Sequence, residues 1–161
     1  METSFKSITI LAFLLMFCGC APLVKTDLKT FSEHPEQFKG KIIVFTTDLK
    51  SVVENPEAYL KKKIELTGYV TQTGFRRSAD WDFILTDEEG RSVRCYEWEY
   101  RIRSWSMPER ALLRAAKKRE PVIVVGKLGK RLTIELDWIE YEGQHYDTDY
   151  KPPRVPFPLF P

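Results

Sequence analysis

The chain has 161 residues, 43% of them hydrophobic and 30% charged, with a formal net charge of +2. That length suits one domain of ordinary size. The near-balanced charge excludes the strongly basic profile of a protein built to coat nucleic acid.

The first twenty residues read as an export signal. Lys6 supplies a positive start, and Ile8 to Phe17 form an apolar run of about ten residues, as in a secretory signal. A membrane span needs about 20. The run ends in Phe17-Cys18-Gly19-Cys20-Ala21, and a small residue followed by Cys at this point resembles the lipobox of bacterial lipoproteins. The resemblance implies cleavage between Gly19 and Cys20, with Cys20 then carrying fatty acyl chains such as palmitate on its thiol and its new amine. Phe17 stands where the family usually has Leu, and Cys18 where Ala or Ser is commoner. Gly19, the small residue, selects Cys20 over Cys18 as the acylated position. An ordinary cleaved signal and an uncleaved short anchor are the alternatives. Each buried methylene of an acyl chain contributes about 0.8 kcal/mol, so several chains make a firm anchor. With Ala21 rather than Asp after the Cys, the family's sorting pattern implies the outer membrane facing the periplasm in a Gram-negative host, and otherwise the cell envelope at large.

Once residues 1–19 are removed and Cys20 is acylated, Cys95 is the one cysteine left of three, so no intramolecular disulfide can form. A lone thiol in an oxidising compartment is safest in a core, and Cys95 is expected there. Residues 20–30 read as a tether. Residues 31–62 form a helix-strand-helix extension carrying a duplicated motif: Ser32 to Leu49 and Val53 to Val70 align without gaps at an offset of 21. Glu33/Glu54, Pro35/Pro56, Glu36/Glu57, Phe38/Tyr59, Lys41/Lys62, Ile43/Ile64 and Thr46/Thr67 match. Each copy predicts one short helical turn followed by a strand, with Asn55 as N-cap, Pro56 in the first turn and Glu57 near the positive helix end. Phe38 and Tyr59 are expected to fold back and close one end of the domain that follows.

Residues 63–143 predict strand, strand, strand, helix, strand, strand. Ile64 to Thr71 alternates, with Ile64, Leu66, Gly68 and Val70 on one face, and Gly68 marks a bend or bulge. Trp81 to Thr86 and Ser92 to Tyr100 are joined by the turn Asp87-Glu88-Glu89-Gly90, with Gly90 suited to positive φ. Ser106-Met107-Pro108-Glu109 opens a helix whose apolar side is Leu112, Leu113, Ala115 and Ala116. Pro121 to Lys127 and Arg131 to Glu140 complete the set. A helix between strands three and four of a five-stranded run is the order of an OB-fold. The expected fold is therefore mainly β: a small five-stranded OB-type barrel with one helix between strands three and four, preceded by a short helix-strand extension. Residues 144–161 read as a proline-rich tail, with Lys151 to Pro161 favouring polyproline II and offering P-x-x-P spacing at Pro153 and Pro156 for a partner.

Four segments carry a closer likeness: N-P-E-A-Y-L-K-K-K-I-E-L-T-G-Y-V, F-I-L-T-D-E-E-G-R-S-V-R-C-Y, P-V-I-V-V-G-K-L and L-D-W-I-E-Y. Lys63 to Tyr141 resembles the tRNA-anticodon-binding-like branch of OB-fold domains. That branch's V-x-G-x near the fourth strand is met by Val124-Val125-Gly126-Lys127, and Cys95 falls where it often has a buried small residue. The resemblance implies a fold more than a function.

No catalytic set assembles. The chain has no G-x-S-x-G, no phosphate-cradling glycine loop and no Cys–Cys ligand pair, so no cofactor or metal is expected. His34 and His145 lie far apart and suit solvated loops. Asp80, Asp82, Asp87, Glu88 and Glu89 flank strand two as turn and edge residues, and a hydrolase built on them is the least supported reading. A ligand face is better founded, because OB-folds present ligands on strands two and three and their loops. Arg76, Arg77, Trp81, Arg94, Tyr96, Trp98, Tyr100, Arg101 and Arg103 gather there, and Arg94, Tyr96, Trp98 and Tyr100 alternate onto one side. Of Trp81 and Phe83, one is expected to point into the core. Aromatic groups beside arginines stack single-stranded bases, yet they also anchor proteins and sugars. The envelope address favours a non-catalytic module for a protein, peptide or glycan partner, anchored to the membrane through lipid. Single-stranded nucleic-acid binding is the alternative.

Overall fold

The computed structural model describes residues 21–75, 81–97 and 107–148. In chain order they form β1 (Leu23–Thr26), α1 (Leu28–Glu33), a 3-10 turn (Pro35–Phe38), β2 (Ile42–Thr46), α2 (Leu49–Glu54), α3 (Pro56–Tyr59) and β3 (Lys63–Phe75). There follow β4 (Trp81–Thr86), β5 (Ser92–Glu97), α4 (Met107–Lys118), β6 (Pro121–Leu128), β7 (Thr133–Tyr141) and β8 (Gln144–Asp147). Strands β3-β4-β5-β7-β6 are neighbours in that order, and β6 returns to pair β3 along Lys63 to Tyr69. The ring is a closed five-stranded barrel of OB type, with α4 between its third and fourth strands.

Alternation builds the core. Ile64, Leu66 and Val70 of β3, Phe83 and Leu85 of β4, Val93 and Cys95 of β5, and Ile134, Leu136 and Ile139 of β7 are buried. Helix α4 closes over them with Pro108, Ala111, Leu112 and Ala115; Leu113 and Ala116 are only half-buried. The apolar side of α4 is thus rotated about one residue toward the N-terminus from the expected one and extends to Pro108 in the first turn. Gly68 is tight for a reason other than the expected bend. A Cβ there would meet Leu85 Cγ at 2.9 Å and Leu49 Cδ1 at 3.1 Å, while the bulge lies between Val70 and Gln72.

The duplication is longer than its matched residues suggested. Asp27 and Asp48, 21 apart, each cap a helix: Asp27 Oδ1 accepts from Thr30 N (2.8 Å) and Asp48 Oδ1 from Ser51 N (2.6 Å). The helices Leu28–Glu33 and Leu49–Glu54 end at His34 and Asn55, which share φ −136° and similar ψ. Pro35–Phe38 and Pro56–Tyr59 then turn, and Gly40 and Lys61 take φ of +74° and +62°. The parallel registers also repeat, Leu23 opposite Ile42 and Phe45 opposite Ile64. Residues 21–30, expected as a tether, are therefore part of the fold: T-D-L-K at 26–29 and again at 47–50 is a strand end, cap and helix start. Tyr59 joins the barrel core and its hydroxyl meets Thr47 Oγ1 at 2.9 Å. Phe38 packs in a separate layer against Phe31, ring centroids 5.4 Å apart, and Phe31 in turn meets Phe45 edge-on at 5.3 Å.

The Ser51 amide and hydroxyl at Asp48 hold its carboxyl below the ordinary range. A depressed native pKa contributes stability that is present above the unfolded value and lost as pH falls through the native one. Asn caps about as well as Asp but does not titrate. Asp48→Asn is expected to leave the melting temperature at neutral pH nearly unchanged and to make its fall below about pH 4 shallower. Thermal melts from pH 7 to pH 2 check this; superimposable acid profiles would contradict it.

Two boundaries at the far end differ from expectation. β7 begins at Thr133, because Lys130–Leu132 form a 3-10 turn in which Arg131 has φ +59°. The domain also continues past residue 143. Glu142-Gly143, with φ of +53° and +70°, is a two-residue hairpin loop of the kind that suits strand twist, and it returns β8 along β7. Tyr146 enters the core, and Thr148 Oγ1 donates within 2.9 Å of Leu136 O and 2.7 Å of Asp137 O. Residues 149–161, with the P-x-x-P segment, lie outside the described residues.

Candidate ligand face

Strands β4, β5 and β7 lie side by side, and their outward residues make one patch. Val93 and Cys95 point in, so Arg94 and Tyr96 point out. Arg94 stands opposite Ile84 on β4 and Thr133 on β7; Tyr96 stands opposite Asp82 and Glu135. Arg94 is exposed and its Nε donates to Asp82 Oδ2 at 2.8 Å, with Nη2 on the same oxygen. Tyr96 is half-buried and Glu135 exposed. The patch is thus aromatic and mixed in charge, with a carboxylate flanking the arginine on one strand and the tyrosine on another.

The structure brings together Arg94 and Tyr96 of the sequence-derived set. Trp81 belongs to β4, opposite Glu97, with its side chain outside the described residues; Phe83 is the inward aromatic. Arg76, Arg77, Trp98, Tyr100, Arg101 and Arg103 lie outside the described residues, as do Gly19 and Cys20. Asp82 and Glu135 were missed as members of this face. The signal for Asp82 was present, since D-F-I-L-T puts it out of phase with Phe83 and Leu85; Glu135 needed the β5–β7 pairing, which no local pattern encodes.

Of the carboxylates around β4, Asp80 lies outside the described residues, and Asp82, Asp87 and Glu89 are engaged in the fold. Asp87 Oδ1 accepts from Glu89 N (3.1 Å) and Arg91 N (2.9 Å), and Asp87 Oδ2 and Glu89 Oε2 each meet the Arg91 guanidinium at 2.7 Å. Gly90 takes φ +82° in the turn they brace. His34 is exposed at the end of α1. His145 is on β8, 3.0 Å from Asp147 Oδ1, and its ring meets Trp138 at a tilt with centroids 4.5 Å apart. Among the described residues no three His, Cys, Asp or Glu side chains converge as metal ligands, and no helix is long and apolar enough to cross a membrane.

Cys95 is fully buried, and desolvation pushes its thiol far above the ordinary range. Its thiolate, the reactive form, is out of reach in the native state. The peptide holding Cys95 is expected to be alkylated only in denaturant, as peptide mass mapping would show; rapid native labelling would contradict the burial.

No family model matches the chain, and no curated protein matches it. Solved structures give distant likenesses. The apo form of TiaS, a tRNA agmatidine synthetase, is 23% identical over 49% of this chain, with a TM-score of 0.32. The complex of TiaS with its tRNA, AMPCPP and agmatine is 19% identical over 60%, at 0.35. This chain spans 18% of the first and 22% of the second. An OBody bound to hen egg-white lysozyme is 13% identical over 57% of this chain and 83% of its own, at 0.33. At such scores these likenesses carry no weight for function. The class of protein is set by the topology alone, an OB-type barrel with an N-terminal parallel-strand repeat.

Proposed function

We propose that this chain is a lipid-anchored envelope protein whose barrel binds a protein, peptide or glycan partner on the outer face of β4 and β5, without catalysis. The observation that carries the choice of partner is the charge of that face. On its described part Arg94 is already tied to Asp82, and Glu135 flanks Tyr96; an arginine engaged by a carboxylate is less open to phosphates, whereas a mixed surface suits a polypeptide or a sugar. The Phe17-to-Ala21 lipobox likeness supplies the envelope address. The pairing of Asp87 and Glu89 with Arg91 supports a bracing role for the acidic turn over an acid–base one.

A photo-crosslinking residue at Tyr96 in cells tests the reading. An envelope protein or glycan should be captured, and the adduct should be lost with Trp98→Ala and Tyr100→Ala. No envelope adduct, together with unaltered cells carrying both alanine variants, would overturn it. Binding to a single-stranded oligonucleotide that weakens steeply with salt would replace it with the nucleic-acid reading.

A further inference from the structure

The parallel repeat places the starts of β1, β2 and β3 at one end of the molecule, beside the end of β6, because Lys63 pairs with Lys127 and Leu23 with Ile42. The backbone fixes this edge: Ile42 N donates to Pro22 O at 3.0 Å, Lys61 N to Leu128 O at 2.8 Å and Leu128 N to Lys62 O at 3.0 Å. Cations crowd it. Lys39, Lys41, Lys61, Lys127, Lys130 and Arg131 are all exposed. Lys63 is neutralised by Asp137 at 2.8 Å, Glu135 stands opposite Lys127, and Glu33, Glu36, Glu54 and Glu57 are the acids at and just before the adjoining turns, so the end keeps a small excess of positive charge. Two of the exposed large hydrophobic residues, Leu23 at 48% and Ile42 at 45% exposure, are cross-strand partners in its midst. The other ends of these strands carry Asp27 after β1, Asp48 after β2, Glu120 before β6 and Glu142 after β7.

We infer that this basic end, with Leu23 and Ile42 at its centre, rests on an anionic phospholipid surface. The inference builds on the acylation of Cys20 proposed above. From Cys20 to Leu23 the chain can reach at most about 11 Å, and Pro22 is already hydrogen-bonded into the sheet. An acyl anchor at Cys20 would therefore hold the starts of β1 and β2 at the headgroups. Basic residues there gain from anionic lipid, and an apolar pair among them can enter the interface.

Mature protein from membranes, reconstituted into vesicles of phosphatidylcholine alone or mixed with phosphatidylglycerol, tests this by amine footprinting. Lys39, Lys41, Lys61, Lys127 and Lys130 should label about five-fold more slowly on the anionic vesicles, while Lys50 and Lys117, away from this end, should not change. The protection should disappear in high salt and in the triple variant Lys39→Glu, Lys41→Glu and Lys130→Glu, read at Lys61 and Lys127. Equal labelling of acylated protein on both vesicles would overturn the inference alone. Protection by a single-stranded oligonucleotide but not by anionic vesicles would also overturn it. Absence of an acyl mass on Cys20 would overturn the anchor and the inference with it.

Discussion

Gly126→Ala is expected to destabilise the fold by about 3 kcal/mol or more, lowering the melting temperature by about 10 °C. Gly126 lies at the bulge where the β6–β7 register jumps, Val125 facing Trp138 and Gly126 facing Leu136. A Cβ at this position would stand 2.2 Å from Glu135 O, 2.7 Å from Ile134 Cγ2 and 2.9 Å from Glu135 C. Two of those atoms are backbone of the neighbouring barrel strand, so no rotamer change relieves the clash. The strands must separate where the ring closes. Gly68→Ala is the comparison. Its Cβ would be nearest to side-chain carbons, Leu85 Cγ at 2.9 Å and Leu49 Cδ1 at 3.1 Å, with the backbone oxygen of Thr86 at 3.0 Å, and a smaller cost of about 1–2 kcal/mol is expected. Thermal and denaturant unfolding of both variants measure the difference. Equal, small effects would mean that β6 and β7 are not so closely set at the bulge.

Leu49→Ala is expected to cost about 2–5 kcal/mol, as much as truncating a barrel residue. Leu49 and Val52 of α2 are fully buried and share one core with Leu66, Leu85, Val93 and Cys95. Unfolding should stay a single transition, shifted for barrel and repeat alike. The duplication supplies an internal control. Leu28 occupies the same place in the first T-D-L-K but is only half-buried, so Leu28→Ala should cost much less, about 1 kcal/mol. A biphasic melt for Leu49→Ala, with the barrel transition unmoved, would make the repeat an independent appendage.

This pair shows why part of the fold was legible in the sequence and part was not. The barrel strands announce themselves because each buries one face: I-E-L-T-G-Y-V and F-I-L alternate, and the P-V-I-V-V run marks a strand buried on both faces, Val124 and Val125 alike. The strand-helix-strand order then leaves few closures besides the OB-type ring. β1 and β8 are four residues each, too short for a period to emerge, and they exist because β2 and β7 offer edges. T-D-L-K repeats in sequence, yet Leu49 lies inside the barrel core while Leu28 only packs against its edge, so burial at the two differs for tertiary reasons. On the candidate face, alternation puts Arg94 and Tyr96 outward as expected. The partners that set their charge arrive through register across three strands, which leaves no local trace.

Both the envelope address and the membrane contact depend on Cys20. The intact mass of the protein from fractionated cells, with Cys20→Ser as control, tests that dependence most directly. A chain beginning at Cys20, carrying acyl chains, found in the membrane fraction and lost in the control is the expected result. An unprocessed and unacylated chain in the soluble fraction would contradict it.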